Sequence, residues 1–193
     1  MIEIRAGEPP GIGLTLPHWL VQAAESDFAT RELEARVAFV LGLAGRGMEE
    51  GGGPFAAAIF DMEDGHLFTA GVNLVVPGDS SLLHAEIVAL LLAQARLGSR
   101  ILGGRDVRLE LVASCDPCAM CIGAIHWSGL ASLVTSAAAA DARSMGFDEG
   151  PVAEDAYEYV AARGMTIRRG VLREDGAALL KDYAQRGGPI YNG

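Results

Sequence analysis

Two short stretches of this chain hold residues that do chemistry together: His84-Ala85-Glu86 and Pro117-Cys118-Ala119-Met120-Cys121. Cys118 and Cys121 are three apart, so on a helix their sulfurs share a face. Both stretches stand where a helix is expected to begin. Two helix N-termini aimed at one spot place partial positive charge there, which favours thiolate over thiol. One imidazole and two thiolates make three ligands for a zinc ion, one per chain. A fourth position is left for water or hydroxide, the catalytic rather than the structural arrangement. Glu86 is not needed as a ligand and is free to take a proton from that water.

The chain has three cysteines, Cys115, Cys118 and Cys121, all within seven residues. That is poor geometry for disulfides and good geometry for a metal. A closed structural site remains an alternative, with Cys115 as the fourth ligand, but it leaves Glu86 idle. His18, His66 and His126 are not read as ligands; His126 lies eight residues, about two turns, beyond Cys118.

The elements that must position these residues follow from pattern. Residues 1–29 hold Pro9, Pro10, Gly11, Gly13 and Pro17 and read as an N-terminal arm with a helical turn near Trp19. A domain is expected over residues 30–186 and a short tail over 187–193. Thr30 is the expected N-cap of a helix reaching about Gly47, carried by Leu33, Val37, Leu41 and Ala44. Phe55–Phe60 and Leu67–Val72 read as strands around the turn Glu63-Asp64-Gly65, and a loop follows. Leu82–Leu97 is an apolar helix and Val107–Ala113 a strand. Pro117–Ser128 is a helix ended by Gly129, and Leu130–Thr135 a strand. Pro151–Ala162, Met165–Leu172 and Gly176–Gln185 read as helix, strand and helix. Strand–helix alternation after the first hairpin implies parallel strands with helices on both faces.

Composition narrows the function. The 193 residues are 50% hydrophobic and 21% charged, enough to bury a core. Fifteen basic against twenty-five acidic residues give a net charge of −10. Each phosphate contact needs a cation, so a nucleic-acid partner is disfavoured. Arg168 and Arg169 form a small basic spot, read as a solvated strand face. Ile87–Ala93 is too short to cross a bilayer. The first ten residues carry no apolar run. A reduced, cytoplasmic protein with no membrane partner is expected.

H-x-E together with P-C-x-x-C is the signature of zinc deaminases, and the chain resembles the cytidine/deoxycytidylate deaminase superfamily. Within it the likeness is greatest to bacterial guanine deaminases. The segments that carry it are Gly53–Ala58, Asn73, Val75–Gly78, His84–Glu86, Pro117–Cys121, Ile125–Gly129, Gly146–Gly150 and Ile190-Tyr191-Asn192. The resemblance implies a three-layer α-β-α fold, α/β in class, around a five-stranded mixed sheet. It implies zinc held by His84, Cys118 and Cys121, with Glu86 moving protons and an acidic partner in Asp148 or Glu149, of which Glu149 is preferred. It implies base contacts from Asn73, Phe55, Ala85, Trp127 and Asp148, and a homodimer whose tail, with Tyr191 as lid, reaches a neighbouring site. Taken alone, Asn73 reads as a turn residue, Phe55 and Trp127 as core, and Asp148 and Glu149 as a solvated turn or helix caps. The expected reaction is hydrolysis of guanine to xanthine and ammonia. Alternatives are deamination of guanosine, a cytosine-like base or an ammeline-type triazine. Less favoured are a tRNA adenosine deaminase and a zinc module without catalysis.

Overall fold

The computed structural model describes residues 2–5, 11–104, 107–153 and 155–192. A hairpin of β1 (Ile2–Arg5) and β2 (Gly11–Leu14) leads into α1 (His18–Ala24) and α2 (Leu33–Glu49). Next come β3 (Ala56–Asp61), β4 (Leu67–Val72), the single turn α3 (Val75–Gly78) and α4 (Ala85–Leu97). The chain continues through β5 (Leu109–Cys115), α5 (Ala119–Ser128), β6 (Ser132–Ala137) and α6 (Ala139–Ser144). It closes with α7 (Ala156–Ala161), β7 (Thr166–Arg168) and α8 (Arg173–Gln185).

The main sheet has the order β4-β3-β5-β6-β7. β3 is antiparallel to both β4 and β5, while β5, β6 and β7 run parallel. This is the expected five-stranded mixed sheet with helices on both faces. Side-chain alternation along β3 divides the layers. Ala56, Ala58 and Phe60 join the cluster under α1 and α2, with Trp19, Leu20, Val37 and Val40. Ala57 and Ile59 face the other way, into the cluster under α4 and α5 with Ala89, Ala93, Ile122 and Ile125. A strand buried on both faces carries no polar alternation, and β3 accordingly reads as a continuous apolar run.

Local departures from the sequence reading have physical causes. The expected arm contains the β1–β2 hairpin and α1, and Trp19 and Leu20 of α1 are buried in the main core. Thr30 does not cap α2. Its N–H donates to the Gly65 carbonyl, and its hydroxyl accepts from the N–H of Glu32, which takes the N-cap just before the helix. The loop after β4 includes α3. β7 is shorter than expected, and α8 begins three residues sooner, at Arg173. Gly71 lets α4 ride directly on β4, because a Cβ there would strike the backbone of Ala85 and Ala89. The depth of the α4 N-terminus, and of His84 beside it, is set by that contact.

At the N-terminal ends of β5 and β6, Arg36 of α2 donates to Glu110 of β5 at 2.7 Å, and Ser132 of β6 donates to the same carboxylate at 2.7 Å. Both ion-pair partners are buried. Removing one partner of such a pair leaves an uncompensated charge and costs about 3–5 kcal/mol. Arg36→Met is therefore expected to lower unfolding free energy by about that amount. Urea denaturation followed by circular dichroism checks it; a loss below about 1 kcal/mol contradicts the reading.

Candidate active site

The site lies beyond the C-terminal end of β5, where the sheet changes from antiparallel to parallel neighbours. A reversal of that kind opens a crevice between loops. A cavity of about 530 Å³ occupies it. Two helices point their N-termini at this cavity. His84 is the N-cap of α4 and Cys118 the N-cap of α5. An N-cap side chain ordinarily turns back to bond the first backbone N–H groups, yet neither of these makes that bond. Their donor atoms face each other instead, His84 Nδ1 lying 3.5 Å from Cys118 Sγ. Cys121, in the first turn of α5, completes a set whose three ligand atoms all lie within 4.8 Å of one another.

The electrostatics of this set call for a cation. The Cys121 thiol donates to Cys118 and, with His84, holds the Cys118 thiol down to about 4, as thiolate. The same hydrogen bond, together with burial, pushes Cys121 far above the ordinary thiol range. Two sulfurs thus share one negative charge. His84 is pushed up despite its burial, because imidazolium is favoured beside the thiolate. A divalent ion relieves all three at once. One imidazole and two thiolates fit zinc in ligand type and number. Cys115 does not belong to the set: its thiol faces the Ala138 carbonyl at 3.7 Å, and burial keeps it protonated. Among the described residues, the fourth protein ligand of a closed site is therefore missing.

Glu86, in the first turn of α4, lines the cavity and is buried. Burial pushes its carboxyl up, the Cys118 thiolate adds to the shift, and His84 opposes it. Glu149 approaches from the loop after α6. Its carbonyl accepts the Ala119 N–H at 3.0 Å, so the Glu149 backbone caps α5. Burial, then the negative charges of Cys118 and Glu86, push its carboxyl up to about 7. Asp148 is exposed, and its carboxylate accepts the Gly150 N–H at 2.8 Å, which shapes the loop around Glu149.

Phe55, Asn73 and Tyr191 also line the cavity. Asn73 is buried, and its Oδ1 accepts the Val75 N–H at 3.2 Å. Phe55 packs edge-on against Phe147 at 5.0 Å. Tyr191 packs on Phe147 at 5.4 Å, and its hydroxyl is buried without a hydrogen-bond partner among the described residues. Gly53 makes room for it, since a Cβ there would overlap the hydroxyl. Tyr191 and Asn192 thus bring the tail over the cavity.

Two expected base contacts are not brought here. Trp127 is 77% exposed and packs at a tilt against His126, ring centroids 4.9 Å apart. It stands nine residues beyond Cys118, on the order of 13 Å along the helix axis, so the end of α5 that reaches the cavity is the other one. The Ala85 side chain is packed away from solvent and is not on the cavity wall. Other wall residues escaped the sequence reading. Asp79, Ser80, Ser81 and Leu82 form one side of the mouth. Asn192 accepts the Asp148 N–H and donates to the Gly146 carbonyl, both at 2.9 Å, fastening the tail to the Glu149 loop. The only signal for these was their place beside recognised segments.

Residues 31–137 match the family described as the cytidine and deoxycytidylate deaminase zinc-binding region. The chain belongs to this family. A guanine deaminase of Bacillus subtilis (strain 168) is 37% identical over 109 residues, 55% of this chain and 65% of that protein. A probable cytosine deaminase of Schizosaccharomyces pombe is 39% identical over 88 residues, 45% of this chain and 48% of that protein. The chain thus matches 65% and 48% of the lengths of these two relatives. Among solved structures, the guanine deaminase from Nitrosomonas europaea superposes with a TM-score of 0.89 at 42% identity, covering 94% of this chain and 99% of that one. The structure of NE0047 in complex with 2,6-diaminopurine gives 0.89 at 45% identity, covering 93% and 96%. Family membership fits the three-ligand set and the free carboxylate beside it.

Two outcomes follow from this geometry. A carboxyl raised from 4.5 to about 7 by folding favours the fold most when protonated, so Glu149 costs stability as pH rises through that window. The metal-stripped protein is expected to lose stability between those pH values and Glu149→Gln to lose less, as read by thermal unfolding across pH; parallel profiles contradict this. Gly53→Val is expected to expel Tyr191 and to speed carboxypeptidase removal of the tail by about tenfold or more, the scale of an overpacking penalty. Mass spectrometry of the digest checks it.

Proposed function

We propose that this chain hydrolyses guanine to xanthine and ammonia. The observation that carries the reading is a buried carboxylate, Glu86, beside a three-ligand metal set in a cavity of about 530 Å³, ample for a base. Relatives support the substrate: structures of NE0047 variants hold 8-azaguanine at 44% identity and TM-scores of 0.87 and 0.88. Zinc held by His84, Cys118 and Cys121 supplies a Lewis acid and lowers the pKa of a coordinated water.

The chain's own residues do the rest. Glu86 takes a proton from the attacking water as its oxygen bonds to the amino-bearing ring carbon, and passes that proton to the ring nitrogen. Its raised pKa suits it to both tasks. Glu86 then takes the second proton from the new hydroxyl as the carbonyl forms and the carbon–nitrogen bond breaks. The leaving amino group receives a proton from Glu86 or from Glu149, whose carboxyl is also poised near neutrality, so that ammonia departs. The N-termini of α4 and α5 stabilise the negative charge that develops on the way. Phe55 and Phe147 offer apolar faces to the ring, and Asn73 offers an amide to its edge. Tyr191 closes the cavity from above, its buried hydroxyl without a partner among the described residues. Ala85 and Asp148 act through backbone and loop shape.

The same reading places the enzyme in purine metabolism in the cytoplasm. Three free cysteines and the lack, among the described residues, of a helix long and apolar enough to cross a membrane support it. A homodimer is part of the proposal, supported by the exposed aromatic pair Trp127 and Tyr159. Exchange of the tail between subunits is part of the same proposal: Tyr191 covers a cavity, and in an exchanged dimer it would cover the neighbour's.

Ammonia release from guanine, guanosine, cytosine and adenine, with and without a chelator, tests the reaction. Guanine is expected to be preferred and the chelator to abolish turnover. Glu86→Gln is expected to lower kcat by about 10²–10⁴ with zinc still bound. Full activity in that variant, or turnover of a nucleoside but not guanine, contradicts the proposal.

A further inference from the structure

Sequence reads Arg169 as part of a solvated basic spot, and its side chain is 46% exposed, but its guanidinium turns onto a buried carboxylate. Asp116 stands between Cys115 at the end of β5 and the Pro117-Cys118 turn that opens α5. Its carboxylate is buried, yet every lone-pair direction in reach is used. Thr135 Oγ1 of β6 donates to Oδ1 at 2.7 Å, and the Ala139 N–H at the start of α6 donates to Oδ2 at 3.2 Å. Arg169, just after β7, straddles the carboxylate with two N–H groups, Nε on Oδ1 at 3.0 Å and Nη2 on Oδ2. The Asp116 backbone N–H donates to the Ala137 carbonyl at 2.8 Å. The guanidinium itself lies over the Tyr157 ring, 4.1 Å from its centroid, which fixes the plane in which it meets the carboxylate.

The turn that delivers two of the three metal ligands is thus held to β6, α6 and the chain beyond β7 through one side chain. A fork-shaped cation matches a carboxylate at two points and sets orientation as well as charge. Pro117 fixes the backbone between Asp116 and Cys118, so the position of the carboxylate passes to the thiol with little slack.

We propose that Arg169 is a positioning residue of the metal site, holding the Cys118–Cys121 turn through Asp116 in the geometry that grips the ion. The inference rests on the metal reading of His84, Cys118 and Cys121, and it is independent of which base is deaminated. Without Arg169, Asp116 keeps a buried negative charge with no cation against it, two residues from a ligand. The turn then relaxes to let water reach that charge, and the thiols lose their alignment. Outer contacts of this kind are worth about 10–100-fold in metal affinity.

The test is zinc retention against a chromogenic chelator, read on the full chain with circular dichroism confirming the fold at the same temperature. Arg169→Met is expected to weaken zinc binding by about 10–100-fold. Arg169→Lys, which keeps the charge but not the fork, is expected to recover only part of the loss. Arg168→Met, on the neighbouring exposed residue, is expected to behave as wild type. Should Arg169→Met fail to fold, Thr135→Val removes one donor to Asp116 without altering charge, and a smaller loss of zinc in the same direction is expected. A folded Arg169→Met, or failing that a folded Thr135→Val, that holds zinc as tightly as wild type overturns this inference alone. A wild-type chain that takes up no zinc overturns the metal reading and this inference together. A wild-type chain that binds zinc but ignores guanine overturns the proposed substrate and leaves the Arg169 result to stand on its own.

Discussion

Everything at the site depends on two helix N-termini facing each other with their N-cap side chains turned outward. A helix start has unsatisfied N–H groups and a partial positive charge. Here the α4 and α5 starts forgo the side-chain caps that would quiet them. His84 and Cys118 instead direct their donor atoms across the gap, and the two thiols share one proton more than a metal site wants. The fold holds this uneasy arrangement in place through the close seat of α4 on β4 and through the backbone cap that Glu149 lends to α5. An ion is the missing partner that makes the arrangement favourable.

The same loop that caps α5 also links the site to the tail. Glu149 gives its carbonyl to α5 and its carboxyl to the cavity, while Asn192 fastens the residues on either side of Phe147 to the chain end. Tyr183 anchors the tail further back by donating to the Pro189 carbonyl at 2.8 Å. One segment therefore connects the metal helix, the second acidic group and the cover of the cavity. The three are joined by these hydrogen bonds and by the packing of Phe147 against Phe55, Tyr183 and Tyr191.

Much of this was legible in the chain because the chemistry is local. His84 and Glu86 fall within one helical turn, as do Cys118 and Cys121, and the helix signals around them are strong: Gly129 ends α5 in the left-handed region, where glycine is at ease. The strands read correctly wherever both faces are apolar. What escaped was set by tertiary contact. Thr30 lost its capping role to a bridge with the strand beside it. Arg169 is exposed as its sequence suggests, but nothing in its neighbourhood of sequence announces its carboxylate partner fifty-three positions earlier. Trp127 matched a segment that resembles a base pocket, yet helix length carries it to the far end of α5. The β1–β2 hairpin had no alternation strong enough to outweigh its prolines and glycines.

The cover over the cavity is a short run of chain beyond α8, pinned by Tyr183 and Asn192. Closing so short a loop costs little chain entropy, so the cover's local concentration beside the site stays high.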